Sequence, residues 1–554
     1  MAGRRGAVVA VACAAIVAFL LGYWPLRLIG EGWLADIADD AFYYFIVARN
    51  LAESGRSSFD GQVLTNGYHP LWQFWLAVQY WLVGSSIPVT LAVQVALVTL
   101  AAFFVLRAAG DWLWFPLMAA AIWGTTYRMV LLGMETALLL LFFSLFLLAL
   151  RRLTWIWVGV TATLAIASRL DSALFILPAL VLVPMPFDRR FKALAFVGTC
   201  GALYAAFNQA VFGVWMPISG SIKSLSGGGL NQLFVEQITN HWDAWRPTVF
   251  AILKFAGTPE GQCASTALAG VVLLILAVDR RRTFAWTLLL AMIVGFALFV
   301  AKILFFSSWM LWPWYYFPAS FLLIADFLVI AEIFSDRESG SARKIAAAIV
   351  ASLVIAACVT PMLASAMLIW MFACAFEAAG GRSERGVAVR EAATFLVGVC
   401  ILVGAAADLL KSRPASDLYQ SAAQAVATKV RAEIGDVHVA MGDRGGAFAY
   451  FYGNPVTQLE GLVNDSEYFR TMMQRRPIRG LLCRRGVRYI VGFESDLGDY
   501  AVHALDLFNS ETMTFAGPTI DVAKADEIVR IADPIMLKIF PRSGYVYVWR
   551  LSGC

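Results

Sequence analysis

Two adjacent aspartates, Asp39 and Asp40, are the residues of this chain whose type and position point most directly to chemistry. They follow a long apolar N-terminal segment, and carboxylates are costly to keep beside a membrane, so the pair is a candidate for function. An ionised aspartate can act as a general base towards a hydroxyl group, can bind a metal ion, or can do both. The structural alternative is that one of the two caps the helix predicted at 41–52. The residues alone leave open which aspartate is the base.

Polar and aromatic side chains that could bind a substrate occur in two further segments. Asn66, Tyr68 and His69 belong to an Asn-Gly-Tyr-His-Pro sequence, which offers an amide, a phenol and an imidazole. The same sequence is typical of a turn that leads into a helix. Tyr315 and Tyr316 lie between two prolines in an aromatic cluster, which could form a pocket wall or part of an interfacial aromatic belt.

Charged side chains at the ends of apolar segments form a third group of candidates. Glu135 needs a positively charged partner, for which Arg128 and Arg169 are available. Arg169 could clamp a phosphate group, or it could form a local ion pair with Asp171 in a short hairpin. Lys223 could also bind a lipid-linked phosphate.

The composition indicates a polytopic α-helical membrane protein. The chain of 554 residues is 60% hydrophobic and 15% charged, with a mean hydropathy of +0.71, whereas soluble domains are about 25% charged. Repeated apolar runs close to the ~20 residues that cross a bilayer predict about thirteen transmembrane helices. We place them near 7–29, 87–106, 112–127, 133–150, 153–168, 172–186, 192–212, 264–278, 284–305, 314–334, 344–360, 363–378 and 392–410. Lys302, near the outer end of its span, could bind a lipid-linked phosphate, but we favour its interpretation as a snorkelling lysine. The net charge of +5 does not suggest a nucleic-acid partner.

The distribution of lysine and arginine sets the predicted orientation. If the apolar stretch 70–84 lies along the membrane interface and does not cross, the later basic clusters all fall on the cytoplasmic side, together with Arg4 and Arg5. The N-terminus is then cytoplasmic and the C-terminus is outside. The unusual polar residues collect on the outer face, so we expect a single external active site.

The chain is predicted to contain a transmembrane domain at 1–411 and a soluble extracytoplasmic domain at 412–554. Two long external loops, 31–86 and 213–263, belong to the first domain, and the Gly/Ser-rich tip 219–229 predicts a mobile loop.

The second domain is predicted to be a small α/β domain, because a helical pattern at 417–434 is followed by strand patterns at 437–441, 487–492 and 545–549. The sequence 442–446 is rich in glycine but lacks Gly-x-Gly-x-x-Gly spacing, so it is interpreted as a strand-to-helix turn and not as a nucleotide loop. Cys483 and Cys554 could form a bridge if this side of the membrane is oxidising.

With these motifs in place, the chain resembles the GT-C class of integral-membrane glycosyltransferases, and most closely a bacterial branch that includes arabinofuranosyl- and mannosyltransferases of cell-envelope glycans. The resemblance covers most of the chain in layout. The segments that carry it are 39–44, 48–51, 66–72, 133–138, 168–171, 314–318, 449–451 and 461–465.

The resemblance implies a polyprenyl-phosphate donor that carries one sugar. It also implies transfer with inversion, at the outer face of a bacterial inner membrane, to a hydroxyl of a glycan, lipid or protein. Asp39 matches the base of such enzymes and Asp40 matches its neighbour, and Tyr43 and Arg49 belong to the matching segments. Some members of the class need a divalent cation at this place, so Mg²⁺ or Mn²⁺ at Asp39 and Asp40 remains open.

Three other classes of function are weighed against this one. A polyprenyl-lipid transporter would place ionisable groups near the bilayer midplane and would show internal repeats, and neither is evident in the sequence. A block transferase or hydrolase of lipid-linked glycans would use the same acid and cations, so the sequence separates it poorly from a single-sugar transferase. A non-catalytic envelope assembly protein is the remaining alternative.

Overall fold

The structure is a computed structural model. It describes Leu34, residues 37–109, 133–224, 229–243, 259–335 (except 308 and 310), 342–350 (except 345 and 348), 419–492 (except 443, 444, 475 and 477), 525–532 and 545–551. The spans predicted at 7–29, 112–127, 363–378 and 392–410, and most of the span at 344–360, lie outside the described residues.

The described N-terminal part of the chain is helical. Its helices are α1 (Asp39–Ser54), α2 (Pro70–Val83), α3 (Ile87–Ala109), α4 (Thr136–Arg152), α5 (Trp155–Ser168), α6 (Ala173–Leu182), α7 (Phe187–Phe212), α8 (Ile218–Lys223), α9 (Gln232–Asp243), α10 (Pro259–Leu276), α11 (Phe284–Phe306) and α12 (Phe317–Ser335). Short 3₁₀ turns occur at Leu170–Ser172, Val278–Arg280 and Pro313–Tyr315.

Four helices in the described part of the chain are long and apolar enough to cross a membrane, at Ile87–Val105, Phe187–Phe212, Phe284–Phe306 and Phe317–Phe334. They confirm helices at four of the predicted spans, and α5, α6 and α10 are shorter apolar helices at three more. The chain is therefore a multi-pass membrane protein. The total of thirteen spans and the orientation remain predictions.

Aromatic side chains and one glycine hold the membrane helices together. Phe143 of α4 stacks on Phe321 of α12 with ring centroids 3.8 Å apart. Phe175 of α6 packs edge-on against the same Phe321 ring at 5.5 Å. Gly295 lets α11 approach α6 closely, because a Cβ there would lie 2.6 Å from the Phe175 ring. Native side chains fill such interiors at crystal-like density, so an added methyl group has no space.

The segment predicted to be the first external loop contains two helices that pack against each other, α1 and α2. The middle of α1 is buried, whereas α2 exposes the large apolar side chains Phe74, Trp81 and Leu82. This exposed apolar face is consistent with a helix that lies against lipid.

The segment 219–229, predicted to be a mobile loop, begins with a helix. Residues Ile218–Lys223 form α8, whose Ile218 and Ile222 are fully buried against the C-terminal part of the chain. The helix was not predicted because Gly and Ser dominate this segment locally, whereas the two isoleucines have a long-range apolar partner.

The C-terminal α/β region (the described residues of 419–551) contains α13 (Tyr419–Ile434), β1 (Val439–Met441), α14 (Gly445–Tyr452), β2 (Val456–Gln458), α15 (Ser466–Met473), α16 (Arg479–Arg484), β3 (Tyr489–Gly492), β4 (Ala525–Ala532) and β5 (Tyr545–Leu551). The five strands form one sheet in the order β2-β1-β3-β5-β4. β1 pairs in parallel with β2 and β3, and β5 pairs antiparallel with β3 and β4. The three predicted strands and the predicted helix are all present. Cys483 is disulfide-bonded, while its predicted partner Cys554 lies outside the described residues.

Gly295→Ala is expected to destabilise the membrane domain by about 1–3 kcal/mol, because overpacking a tight helix contact forces the surrounding backbone and side chains to move. The measurement is the midpoint of thermal unfolding in detergent. Gly198→Ala on α7 is the matched control, since a Cβ at Gly198 would meet nothing within 4 Å. Equal midpoints for the two variants would contradict the assigned contact between α6 and α11.

Candidate functional site

A cavity of about 520 Å³ lies where the segments predicted to be external loops meet the ends of the membrane helices. The elements around it are α1, the turn before α2, the start of α4, the 3₁₀ turn after α5, α8, the end of α11 and the loop before α12. Leu462 and Val463 of the C-terminal α/β region complete its wall.

Most of the residues singled out from the sequence line this one cavity. They are Asp40, Tyr43, Tyr68, His69, Glu135, Arg169, Asp171, Lys223 and Tyr315. Asp39, Arg49, Asn66 and Tyr316 are not among its lining residues, and Arg128 lies outside the described residues.

A buried ion pair between Glu135 and Arg169 forms the floor of the cavity. Arg169 donates a hydrogen bond to Glu135, and their side chains are 1% and 0% exposed. The guanidinium also stacks 4.9 Å from the ring centroid of Tyr315 and 4.8 Å from that of Phe317. Burial alone would lower the pKa of Arg169, but the nearby Glu135 and Asp171 carboxylates outweigh it and raise the pKa. Arg169 is therefore a fixed positive charge.

His69 is a neutral imidazole beside this pair. Its Nδ1 accepts a hydrogen bond from the backbone N–H of Leu170 at 3.3 Å, and its Nε2 lies 3.7 Å from Glu135. Burial lowers the pKa of His69 to about 4, although the Glu135 carboxylate acts in the opposite direction. The ring links the turn before α2 to the hairpin after α5 without adding a charge.

Lys302 of α11 is a site residue that sequence reasoning missed. It was expected to snorkel, but its ammonium forms an ion pair with Asp171 and lines the cavity. Arg169 lies 3.8 Å from the other oxygen of Asp171. The sequence did carry a signal, because a cation inside an apolar span generally needs a partner. The Lys302 side chain remains 33% exposed, so it can also contact a bound anion.

Lys223 stands beside Asp40 at another part of the cavity wall. The Lys223 ammonium donates to the Tyr315 hydroxyl at 3.0 Å and lies 3.9 Å from the Asp40 carboxylate. It also lies 5.3 Å from the ring centroid of Trp309. Burial alone would lower the pKa of Lys223, but Tyr315 and Asp40 outweigh it and raise the pKa. Lys223 thus supplies a positive charge that favours the ionised form of Asp40.

The two adjacent aspartates have different surroundings. Asp40 lines the cavity, whereas both carboxylate oxygens of Asp39 accept hydrogen bonds from α14, Oδ2 from Gly446 N at 3.0 Å and Oδ1 from Ala447 N at 2.7 Å. The prediction that an aspartate of this pair caps the helix that follows it is wrong. α1 begins at Asp39 with Ala38 in the N-cap position and no side-chain cap, and the helix that the carboxylate caps is α14.

The same geometry bears on the possible metal site at Asp39 and Asp40. Within the part of the chain that the structure describes, no group of three or more His, Cys, Asp or Glu side chains is arranged to hold a metal ion. Both Asp39 oxygens accept hydrogen bonds from backbone N–H groups of α14, and a divalent cation at Asp39 and Asp40 stays a prediction.

Three of the predicted residues that do not line the cavity, Asn66, Tyr316 and Arg49, make contacts elsewhere. Asn66 accepts a hydrogen bond from Ile218 N at 3.1 Å and donates one to Asn208 at 3.1 Å, which fixes the start of α8. The Tyr316 hydroxyl donates to Glu260 at 2.5 Å. The Arg49 guanidinium lies 5.6 Å from the ring centroid of Tyr450.

A second, apolar cavity of about 770 Å³ adjoins the first. It lies between α2 and the membrane helices α5, α6 and α7, and it shares Tyr68, Leu170 and Ala173 with the polar cavity. Burial raises the pKa of Tyr68 to about 12, so its hydroxyl, which is 2.6 Å from that of Ser57, stays neutral between the two cavities.

No protein-family model and no curated protein matches the chain. The solved structures that are similar to it include two of ArnT from Cupriavidus metallidurans. The structure bound to undecaprenyl phosphate has 14% identity and a TM-score of 0.46, and the match covers 100% of this chain and 99% of that one. The apo structure has 15% identity and a TM-score of 0.44, with 97% and 98% covered. At these values the similarity concerns the layout of the chain, and the function is argued from the site.

Glu135→Ala is expected to lower the free energy of unfolding by about 3–5 kcal/mol, because it leaves the buried Arg169 charge without its partner. The measurement is thermal or denaturant unfolding in detergent. Lys192→Ala is the matched control, since Lys192 and Asp188 form a pair whose side chains are 54% and 64% exposed. Such a pair contributes about 0–1 kcal/mol. A small loss for Glu135→Ala would show that the Arg169 charge is not buried as described.

His69 is expected to make the protein less stable as the pH falls from about 6.5 to about 4. In this range the unfolded histidine, with its ordinary pKa of 6.5, takes up a proton that the folded one, with a pKa of about 4, does not. The stabilisation is therefore present above pH 6.5. The measurement is the unfolding midpoint at several pH values for wild type and for His69→Asn, which keeps an acceptor for Leu170 N but does not titrate. Identical pH slopes for the two proteins would refute a neutral His69.

Proposed function

We propose that this protein is a GT-C-type glycosyltransferase that moves one sugar from a polyprenyl phosphate to a hydroxyl group of a glycan, lipid or protein acceptor. The observation that carries the proposal is the cavity itself, in which a carboxylate, Asp40, and a partly exposed cation, Lys302, line one space at the boundary of the membrane. The polyprenyl phosphate proposed here belongs to the same chemical class as the undecaprenyl phosphate bound in the similar ArnT structure.

Asp40 is the member of the pair that suits the role of general base. The matching position in the sequence resemblance favoured Asp39, but the Asp39 carboxylate is held by two backbone N–H groups of α14. Asp40 borders the cavity and lies close to Lys223, which favours its ionised form. A base must lie within hydrogen-bond reach of the proton that it takes, so the position of Asp40 at the cavity supports its assignment as the base.

We assign the leaving phosphate to Lys302, the partly exposed cation of the cavity. Asp40 contacts Lys223, Lys223 contacts Tyr315, Tyr315 stacks on Arg169, and Arg169 and Lys302 both contact Asp171. Asp40 and Lys302 therefore stand at opposite ends of this sequence of contacts.

The reaction then proceeds in one displacement. Asp40 takes the proton of the acceptor hydroxyl as that oxygen bonds to the anomeric carbon. The bond from that carbon to the phosphate oxygen breaks, and its electron pair leaves with the lipid phosphate. Lys302, with the fixed charge of Arg169 behind it, stabilises the negative charge that develops on the phosphate. The sugar is already activated by the phosphate, so no nucleotide is needed.

The adjoining apolar cavity fits the isoprenoid chain of such a donor. Its walls are formed by apolar residues of α2 and of the membrane helices, and it meets the polar cavity at Leu170, next to Arg169 and Asp171. We place the catalytic domain at 1–411, with the cavity on the outer face of a bacterial inner membrane, and an extracytoplasmic domain at 412–554. A divalent cation is not assigned a role in the step.

Asp40→Asn is expected to lower kcat for release of polyprenyl phosphate by about 10²–10⁴-fold, since it removes the general base. Lys302→Met keeps the apolar stem but removes the charge, and it is expected to lower kcat by about 10²-fold. The measurement is release of lipid phosphate from a polyprenyl-phosphate sugar in the presence of an acceptor mixture, with the purified full-length protein in bilayer discs.

Lys192→Met, which removes a lysine exposed on α7, is the matched control and should leave the rate unchanged. Full activity of Asp40→Asn would overturn the assignment of the base. Release of lipid phosphate without transfer to an acceptor would favour a hydrolase, and transfer of a preassembled oligosaccharide would favour a block transferase.

A further inference from the structure

Asp39 joins two parts of the molecule that are far apart in the sequence. Its carboxylate accepts one hydrogen bond at each oxygen, from Gly446 N at 3.0 Å and from Ala447 N at 2.7 Å. These N–H groups belong to the first turn of α14, where backbone donors have no partner within the helix and the helix dipole favours a negative charge. Asp39 thus satisfies the N-terminus of a helix in the C-terminal α/β region.

The contact depends on a glycine at one position and not at its neighbour. A Cβ on Gly446 would lie 2.4 Å from the Asp39 carbonyl oxygen and 3.0 Å from its Oδ2. A Cβ on Gly445 would meet only Met441 and Gln458, at 3.7 Å or more, which is ordinary van der Waals contact. The close approach of α1 to α14 therefore excludes any side chain at 446.

Apolar packing surrounds this polar contact. The Phe42 ring lies 5.4 Å from that of Tyr450 and 6.0 Å from that of Phe451. On the next turn, Ile46 and Val47 share a buried cluster with Phe448 of α14. The docked face of α1 is the neighbour of the face that carries Asp40, since consecutive helical residues project about 100° apart.

The same docking brings the C-terminal α/β region to the cavity. A Cβ on Gly67 would lie 1.8 Å from the carbonyl oxygen of Leu462, so the turn before α2 touches the backbone of that region directly. Leu462 and Val463 line the cavity on this side. The cavity wall is complete only while α14 and the segment after β2 stay docked.

We propose that Asp39 is a positioning residue, whose carboxylate fixes the C-terminal α/β region to α1 and thereby orients Asp40 and completes the cavity wall. The proposal rests on the proposed function, because it assigns separate roles to the two aspartates of that site. Asp40 contacts the reacting hydroxyl, and Asp39 acts through the backbone of α14.

The test compares variants that break the contact from its two sides. Asp39→Asn removes the charge and turns an N–H donor towards α14, and Gly446→Ala keeps the carboxylate but forces the backbones apart. Each is expected to lower kcat by about 10–100-fold, as misplacement of a reacting group does. The double variant should be no slower than the worse single variant, because both changes break one contact. Gly445→Ala is the matched control and should keep wild-type kcat.

The pH profile separates positioning from proton transfer. Asp39→Asn and Gly446→Ala should keep the acidic limb of the profile of kcat against pH, since Asp40 still titrates. Asp40→Asn should lose that limb. Additive losses in the double variant, or loss of the acidic limb in Asp39→Asn alone, would overturn the proposal and return Asp39 to the role of base.

Amide hydrogen exchange tests the contact without any substrate. The N–H groups of Gly446 and Ala447 should be protected in wild type, Asp40→Asn and Gly445→Ala, and should exchange faster in Asp39→Asn and Gly446→Ala. Unchanged protection in α4 and α12 shows that each variant is folded.

Equal protection of the Gly446 and Ala447 N–H groups in all variants refutes the contact. If wild type releases no lipid phosphate but exchange follows the expected pattern, the proposed function fails while the docking role of Asp39 stands.

Discussion

The ion pair between Glu135 and Arg169 is the interaction on which the geometry of the cavity depends. Both side chains are almost completely buried, so neither charge is tolerable there without the other. The pair joins the start of α4 to the hairpin after α5, and the stacked guanidinium sets the position of Tyr315. Asp171 of the same hairpin then pairs with Lys302, which brings α11 to the cavity. Each of these charges alone would be unfavourable beside a membrane, but as ion pairs they hold the elements around the polar cavity together.

The two adjacent aspartates have different roles at the cavity. The cavity needs an ionised carboxylate that can reach a substrate, and Asp40 supplies it beside Lys223. It also needs a complete wall, and Leu462 and Val463, more than 400 positions later in the chain, supply part of that wall. Asp39 connects the two tasks, since it is bonded to α14 while its neighbour faces the cavity. His69 contacts the hairpin after α5, and Tyr68 contacts Ser57. Both side chains are neutral, so they add no charge to the cavity.

Local pattern predicted much of the architecture, and long-range contacts account for the rest. Apolar length predicted the helices at 87–105 and 284–306, and strand-like runs of residues predicted strands such as Tyr489–Gly492. The partner of Asp39 could not be predicted, because the contact spans 407 positions and depends on how the sheet packs on α1. The ion pair of Lys302 was not predicted for the same reason, since its partner Asp171 is distant in the sequence. Ile218 and Ile222 gave helix α8 a buried face that a Gly/Ser-rich composition concealed.

The central claim is that the cavity transfers a sugar from a polyprenyl phosphate, and the most direct measurement is donor consumption by the wild-type protein. Purified full-length protein in bilayer discs would be given a panel of polyprenyl-phosphate sugars, and separately a panel of nucleotide sugars, each with a broad acceptor mixture. The account predicts that one lipid-linked donor is consumed, that lipid phosphate and glycosylated acceptor appear in equal amounts, and that no nucleotide sugar is used. Consumption of a nucleotide sugar, or no consumption of any lipid-linked donor, would contradict it.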